Sequence, residues 1–293
     1  MKKFEFSSPG TLSEALEQLE KYGARAKVIA GGTDLIVQMT NGRIAPERVI
    51  NLLKIPELAG IRENGQELRI GALTKLSILE NSPIIQVKWS LLSAVAHKAG
   101  PPQIRNAGTL GGNICNASPA GDTALPLLIY EAAAVLASNR GERIIPLDSF
   151  FRSPGLTVLE ATEILKEIII PQAPADSTWA YLKLGRRKSL DIAQVSVAVL
   201  LSLHPKTKVC QKARVAMGAV APTPIRTTGA EEFLEEKTLD DRVIREAGEI
   251  AKKECSPISD MRARAEYRKE MVGVLVQRAI KKSLGFPIPP TGI

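Results

Sequence analysis

Two adjacent glycine pairs, Gly31 with Gly32 and Gly111 with Gly112, are the residues of this chain best suited to holding a ligand. The first pair lies in VIAGGTDL, made of Val28, Ile29, Ala30, Gly31, Gly32, Thr33, Asp34 and Leu35. Adjacent glycines let backbone N–H groups approach an oxyanion without Cβ obstruction, and a following helix start adds partial positive charge. Such a loop suits a pyrophosphate. It is not a Walker loop, because no Gly-Lys-Ser/Thr follows, and it lacks the GxGxxG spacing. A tight turn with Asp34 as a helix cap satisfies the same local pattern. The second pair lies in TLGGNICNASPAGD over 109–122, where Thr109 precedes the glycines and Asn113, Asn116, Ser118 and Asp122 add polar side chains. Together the two loops could hold a dinucleotide from two sides, with backbone amides on the phosphates and Asp122 accepting from ribose or adenine donors. Asp122 as N-cap of the next helix is the competing reading.

Most other chemistries lack their residues. Cys115, Cys210 and Cys255 lie far apart with no CxxC spacing, which argues against a disulfide framework and a structural zinc site. A [2Fe-2S] cluster takes four ligands, usually thiolates, so this chain alone cannot hold one in the usual way. Cys115 reads as a small residue packed near its loop. His97 and His204 stand in unrelated contexts, leaving no serine-histidine-acid triad and no histidine-rich metal site. The chemistry therefore belongs to a bound organic cofactor. A formal charge of +8 suits an anionic ligand, an acidic partner or nucleic acid. Aromatic residues are scarce and not interleaved with the basic ones, which speaks against nucleic acid. The start, MKKFEFSSPG, has no apolar signal core, so a cytoplasmic location is expected. No apolar run is long enough for a membrane span.

The elements that must position these loops follow from periodicity. Thr11 and Glu14 form a T-x-x-E capping box, with Leu12, Ala15, Leu16 and Leu19 at helical spacing before a stop at Gly23. AKVIA predicts a buried strand running into the first glycine pair, with a short helix through Leu35, Ile36 and Met39 after it. Strands are expected over 49–53 and 67–72, a helix over 84–98 around Trp89, Leu92 and Val95, then one long binding loop over 100–122. A helix over 123–130 and strands over 134–137 and 163–170 lead to a Pro- and Ala-containing linker at 171–177. Beyond it, strands over 180–184, 193–203 and 213–218 precede helical segments, an order that suggests an α+β unit with helices on one face of an antiparallel sheet. The basic stretch RARAEYRKEMVGVLVQRAIKKS reads as a solvated helix face around an apolar stripe of Met271, Val274, Leu275 and Ala279.

VIAGGTDL, QIRNAGTLGGNICNASPAGD over 103–122, EILKEIIIP over 163–171, YLKLGRRKSLDIA over 181–193 and GAVAPTPIR over 218–226 occur in an order that resembles the FAD-binding subunit of the molybdenum hydroxylases. This family includes xanthine dehydrogenase and aerobic carbon monoxide dehydrogenase. The resemblance implies an α+β fold: a vanillyl-alcohol-oxidase-type FAD-binding domain over 1–175, with subdomains of about 1–58 and 59–175, and a C-terminal domain over 176–293 made of an antiparallel sheet and a helical bundle. It also implies that residues 28–35 wrap the FAD pyrophosphate with Lys27 flanking, and that Gly100, Thr109, Gly111, Gly112, Asn113 and Asp122 reach the flavin and the rest of the dinucleotide. Leu165 and Lys183 match further contact positions, with ordinary core and a solvated strand lysine as their alternatives. Electrons would arrive from [2Fe-2S] clusters on a small partner subunit, while a large molybdopterin-binding subunit hydroxylates the substrate. The acceptor would be NAD or another species, and the assembly a dimer of heterotrimers. Xanthine or a related purine is the first substrate expected, with carbon monoxide and nicotinate-type compounds as alternatives. A self-sufficient flavin oxidase and a non-catalytic nucleotide-binding scaffold are the competing classes.

Overall fold

The computed structural model describes residues 1–187 and 191–288. The Lys188 to Leu190 part of the YLKLGRRKSLDIA motif lies outside the described residues. Near the N-terminus, β1 (Glu5–Ser7), β2 (Ala26–Ile29) and β3 (Arg48–Asn51) form a parallel sheet in the order β1-β3-β2. Helix α1 (Leu12–Tyr22) links the first two strands and buries Leu12, Ala15, Leu16 and Leu19. Its start matches the capping-box reading: the Thr11 hydroxyl accepts from the Glu14 N–H at 3.2 Å. The Glu14 carboxylate reaches back to the N–H of Gly10 at 2.8 Å, one residue before the cap itself. The short α2 (Leu35–Thr40) links β2 to β3.

A five-stranded antiparallel sheet follows. It contains β4 (Ile61–Asn64), β5 (Glu67–Gly71), β6 (Ala133–Ser138), β7 (Gly141–Pro146) and, past a small hairpin of β8 (Phe151–Ser153) and β9 (Leu156–Thr157), β10 (Ile164–Pro171). The strand order is β4-β5-β10-β6-β7. Between β5 and β6 run α3 (Leu76–Asn81), α4 (Pro83–Lys88), α5 (Ser90–Lys98), α6 (Pro102–Ala107), α7 (Leu110–Cys115) and α8 (Ala124–Ile129). Two expectations are corrected here. The single helix over 84–98 is two helices, because the backbone turns at Trp89 (φ −129°, ψ 42°), whose buried indole N–H donates to the Pro171 carbonyl at 3.1 Å. The long loop over 100–122 contains α6 and α7, started respectively by Pro102 in the first turn and by Thr109 as a side-chain cap.

The C-terminal unit begins with β11 (Ser177–Leu184), β12 (Val195–Leu203), β13 (Cys210–Gly218) and β14 (Ile225–Arg226), antiparallel in that order. Helices α9 (Thr228–Leu234), α10 (Asp241–Glu254) and α11 (Ala265–Ser283) cover one face, the α+β arrangement expected. Alternation along β12 divides its side chains. Val195, Val197, Val199 and Leu201 join the helical core with Val272, Leu275 and Val276, whereas Ala198 and Leu200 join the core of the five-stranded unit. Because both faces are buried, the strand reads as one continuous apolar run.

On α11 the buried stripe is Val272, Leu275, Val276, Ala279 and Ile280 rather than one containing Met271 and Val274, and Arg268 is buried rather than solvated. Arg268 donates to Asp260 at 2.6 Å and to the carbonyls of Ala219 at 2.8 Å and Gln194 at 3.3 Å, tying three segments together. No described helix is long and apolar enough to cross a membrane.

Burial pushes the Asp260 carboxyl up, but the Arg262 N–H, the Arg268 guanidinium and the Ala263 N–H outweigh it and hold the group at about 2. Its folded value lies below its unfolded one, so its contribution is present above pH 4 and fades as pH falls from about 4 toward 2. Replacement Asp260→Asn should cost about 1–2 kcal/mol at pH 7. Urea unfolding at pH 7 and pH 3.5 checks this: the gap between wild type and variant should narrow at the lower pH.

Candidate functional site

The two glycine loops meet across a cleft between the parallel and the five-stranded sheets, with a cavity of about 430 Å³. Lys27, Val28, Ile29, Ala30, Gly31, Gly32, Thr33, Asp34 and Leu35 line one side. Thr109, Gly111, Gly112 and Asn113 line the other, and Leu165 on β10 contributes to the floor. Apolar residues beyond those expected, among them Leu73, Leu76, Ile104 and Leu159, complete the lining. Gly100, Asp122 and Lys183 do not line this cavity. Gly100 follows α5 with a φ of +76°, and its carbonyl accepts from Arg105 at 2.7 Å.

The missing side chains do different work in the two loops. A Cβ on Gly31 would stand 2.0 Å from the Ala107 carbonyl oxygen, so this glycine lets the end of α6 press against the first loop. A Cβ on Gly111 would stand 2.6 Å from the Ala72 side chain, so that glycine lets α7 lie against the chain after β5. Glu80 secures α6 from behind. It accepts from Arg105 at 2.7 Å and contacts His97 Nδ1 at 2.7 Å, and these partners hold its carboxyl below the usual range against the effect of burial.

Backbone amides separate the loops further. Among the described residues, the N–H groups of Gly31, Gly32, Thr33 and Asp34 donate to no protein acceptor. This run of free donors beside a cavity has the parts of an anion cradle. In the second loop the donors are spent: Leu110 N–H goes to the Thr74 carbonyl, Gly111 N–H to the Ala72 carbonyl, and Gly112 N–H to the Thr109 hydroxyl at 3.0 Å. The second loop thus supplies a close wall, and the first supplies the donors.

Side chains stitch the loops together. Asn116 donates to Asp34 at 3.1 Å and accepts from Gln38 at 3.4 Å, a bridge across the cleft that the sequence did not single out. Asp34 makes no side-chain cap on α2. Glu163, also in the lining, accepts twice from Arg143, at 2.6 and 2.7 Å, and once from the Glu160 N–H at 2.8 Å. Arg143 holds its carboxyl low against burial. Cys115, half-buried, lines the cleft as well, and burial pushes its thiol up to about 12, so it stays protonated at neutral pH.

Asp122 is not the cap of α8, which begins after Thr123 without a side-chain cap. Its carboxylate instead accepts from the Tyr181 hydroxyl and from Lys183 Nζ, both at 2.7 Å. Tyr181 and Lys183 are two residues apart on β11 and share its inward face, so Lys183 is not a solvated strand lysine: its side chain is 14% exposed. Next to Asp122, the Thr123 hydroxyl donates to Asn113 at 2.6 Å and so joins this group to the lining of the cleft.

Residues 2–173 match the family described as the FAD binding domain in molybdopterin dehydrogenase, and residues 179–283 match the CO dehydrogenase flavoprotein C-terminal domain. The carbon monoxide dehydrogenase medium chain of Hydrogenophaga pseudoflava is 36% identical, the match covering 95% of this chain and 96% of that one. A putative xanthine dehydrogenase FAD-binding subunit of Escherichia coli (strain K12) is 33% identical over 96% of this chain and 97% of its own length. A solved carbon monoxide dehydrogenase from Hydrogenophaga pseudoflava, which lacks the Mo-pyranopterin moiety of its cofactor, aligns with a TM-score of 0.93 at 36% identity, covering 97% of this chain and 98% of that one.

The loop contacts predict unequal effects of small substitutions. Gly31→Ala forces the α6 carbonyl away and should cost about 1–3 kcal/mol, whereas the Cβ of Gly112→Ala meets only the Thr109 hydroxyl, at 3.0 Å, and should cost well under that. Thermal unfolding of the two variants checks the ranking.

Proposed function

Because this chain belongs to the family of FAD-binding subunits of the molybdopterin dehydrogenases, we propose that its cleft holds FAD and that the chain relays electrons between a partner's iron–sulfur clusters and an outside acceptor. The observation that carries this reading is the run of free N–H groups from Gly31 to Asp34, in a cleft whose other side is lined by Thr109, Gly111, Gly112 and Asn113. That combination fits a pyrophosphate flanked by flat rings. The first loop would bind the diphosphate, and Lys27, exposed on the edge strand β2, would add positive charge. The second loop would lie against the sugar and ring portions. Leu165 would offer an apolar floor, while Asp122 and Lys183, outside the lining and next to it through Thr123 and Asn113, would reach the cofactor only from behind that layer. Gly100 would let the chain after α5 pass close to the cofactor.

FAD, when bound, supplies the redox chemistry, taking electrons singly from clusters and passing them on in pairs. The protein's own part is to bind, orient and shield. Iron–sulfur clusters and molybdopterin would be carried by a small and a large partner subunit. The assembly would be a dimer of heterotrimers, with NAD or another acceptor at the flavin. In domain terms, 1–175 would be the FAD-binding domain, with subdomains of about 1–58 and 59–175, and 176–293 the C-terminal domain. The parallel, five-stranded and four-stranded sheets each fall within one of these ranges.

The substrate belongs to the partner. The GGNICN and APTPIR segments resemble those of bacterial xanthine dehydrogenase subunits and favour a purine, whereas the relatives do not single one out, being named for carbon monoxide, xanthine and nicotinate among others. Two measurements test the proposal. The complex purified with its partner subunits should carry one FAD per copy of this chain, and Gly32→Glu or Gly112→Glu, each folded, should abolish it; unchanged FAD content would sink the site assignment. In the same complex xanthine should reduce the flavin faster than carbon monoxide or nicotinate does. Reduction only by one of the latter would overturn the purine assignment and leave the FAD role standing.

A further inference from the structure

Asp34 stands directly before α2, ends the run of free N–H groups that begins at Gly31, and lines the cleft. Aspartate in that place ordinarily turns its carboxylate onto the N–H groups of the first helical turn. Here it does not: α2 has no side-chain cap, and the N–H of Val37, three residues on, donates to no protein acceptor among the described residues. The carboxylate is held by other groups. Its Oδ1 accepts from Asn116 Nδ2 at 3.1 Å, and its Oδ2 accepts from the Thr33 hydroxyl at 3.3 Å. Asn116 approaches from the opposite side of the cleft, at the end of α7, and lines the cleft itself. Its side-chain oxygen accepts from Gln38 Nε2 at 3.4 Å, which leaves the amide NH2 for Asp34. Because an ionised carboxylate only accepts, that orientation of the amide is required by both of its partners.

We propose that Asn116 is a positioning residue for the anion that the first loop takes: by engaging the Asp34 carboxylate it keeps that charge from folding onto the N–H groups of its own loop, and so leaves them free for the diphosphate of the cofactor. This rests on the FAD reading given above. A carboxylate that nothing restrains, next to free N–H groups on the same short stretch of chain, is an internal competitor for them. Even where it forms no hydrogen bond there, it sets a like charge beside the incoming phosphates. Thr33 is a weak restraint by itself, since it belongs to the same loop and moves with it. Asn116 belongs to the other loop, and Gln38 holds its amide in place.

The experiment uses the assembled complex, stripped of flavin and titrated separately with FAD and with ADP, which carries the diphosphate without the flavin. In Asn116→Ala both dissociation constants should rise about fivefold, the size expected for one net hydrogen bond. Adding Asp34→Ala to that variant should bring both back to the wild-type values, because the competing carboxylate is gone. Asp34 caps nothing on α2, so its removal takes no cap from that helix. A residue that merely tied the two loops together would show no such rescue, since removing Asp34 cuts the same tie. Should Asn116→Ala fail to assemble, Asn116→Leu, close to asparagine in shape but without the amide, gives the same comparison. Unchanged affinities in the variant obtained, or a loss that Asp34→Ala does not restore, overturn the proposal. A wild-type complex that takes up neither FAD nor ADP overturns instead the reading on which it rests.

Discussion

The site depends on one close approach, that of the first glycine loop to the end of α6. Where Gly31 faces the Ala107 carbonyl there is no room for a single carbon atom. That contact sets the first glycine loop against the helical segment that leads into the second, at the cleft they line together. Most of what surrounds it maintains this spacing. The Glu80 carboxylate anchors α6 through Arg105, Asn116 ties the second loop to Asp34 and Gln38, and the Gly111 contact seats α7 on the chain leaving β5. Because interiors are close-packed, a shift in one of these contacts is passed to the cleft rather than absorbed.

Part of the basic charge of the chain is also spent on structure. Arg143, Arg226 and Arg268 are engaged by Glu163, Glu231 and Asp260, and Arg105 by Glu80. In the site itself, the first loop offers partial charges from oriented amides, which cost no reorganisation when an anion arrives. A cradle of this kind recognises a phosphate without requiring a lysine inside it, which is why the absence of a Walker lysine from VIAGGTDL does not count against anion binding.

Much of the fold was legible in the sequence because its signals are local. Thr11 and Glu14 announce α1, Gly23 ends it, and the apolar run through Val195 and Leu201 reads directly as a buried strand. The errors arose where long-range contacts override local pattern. Trp89 looks like one more apolar helix position, but its indole is claimed by the Pro171 carbonyl and the helix breaks there. The stretch over 100–122 looks like a loop because of its glycines and prolines, yet those residues start helices or permit contacts. For the site, the glycine pairs were visible and the division of labour between them was not. Which amides are free depends on Ala72 and Thr74, residues far away in sequence. The burial of Lys183 was legible in its spacing: it lies two residues from Tyr181, so on a strand the two share a face.

Burial of both faces of the four-stranded sheet bears on how the chain is inherited and made. With Val197 and Val199 facing the helices and Ala198 and Leu200 facing the neighbouring unit, the C-terminal half has no finished outer surface of its own. Cut at the linker, it would expose an apolar sheet face and the Tyr181 and Lys183 side chains without their carboxylate. The two halves are therefore expected to move through evolution and through biosynthesis as a pair, the second completing its fold on the first rather than beside it.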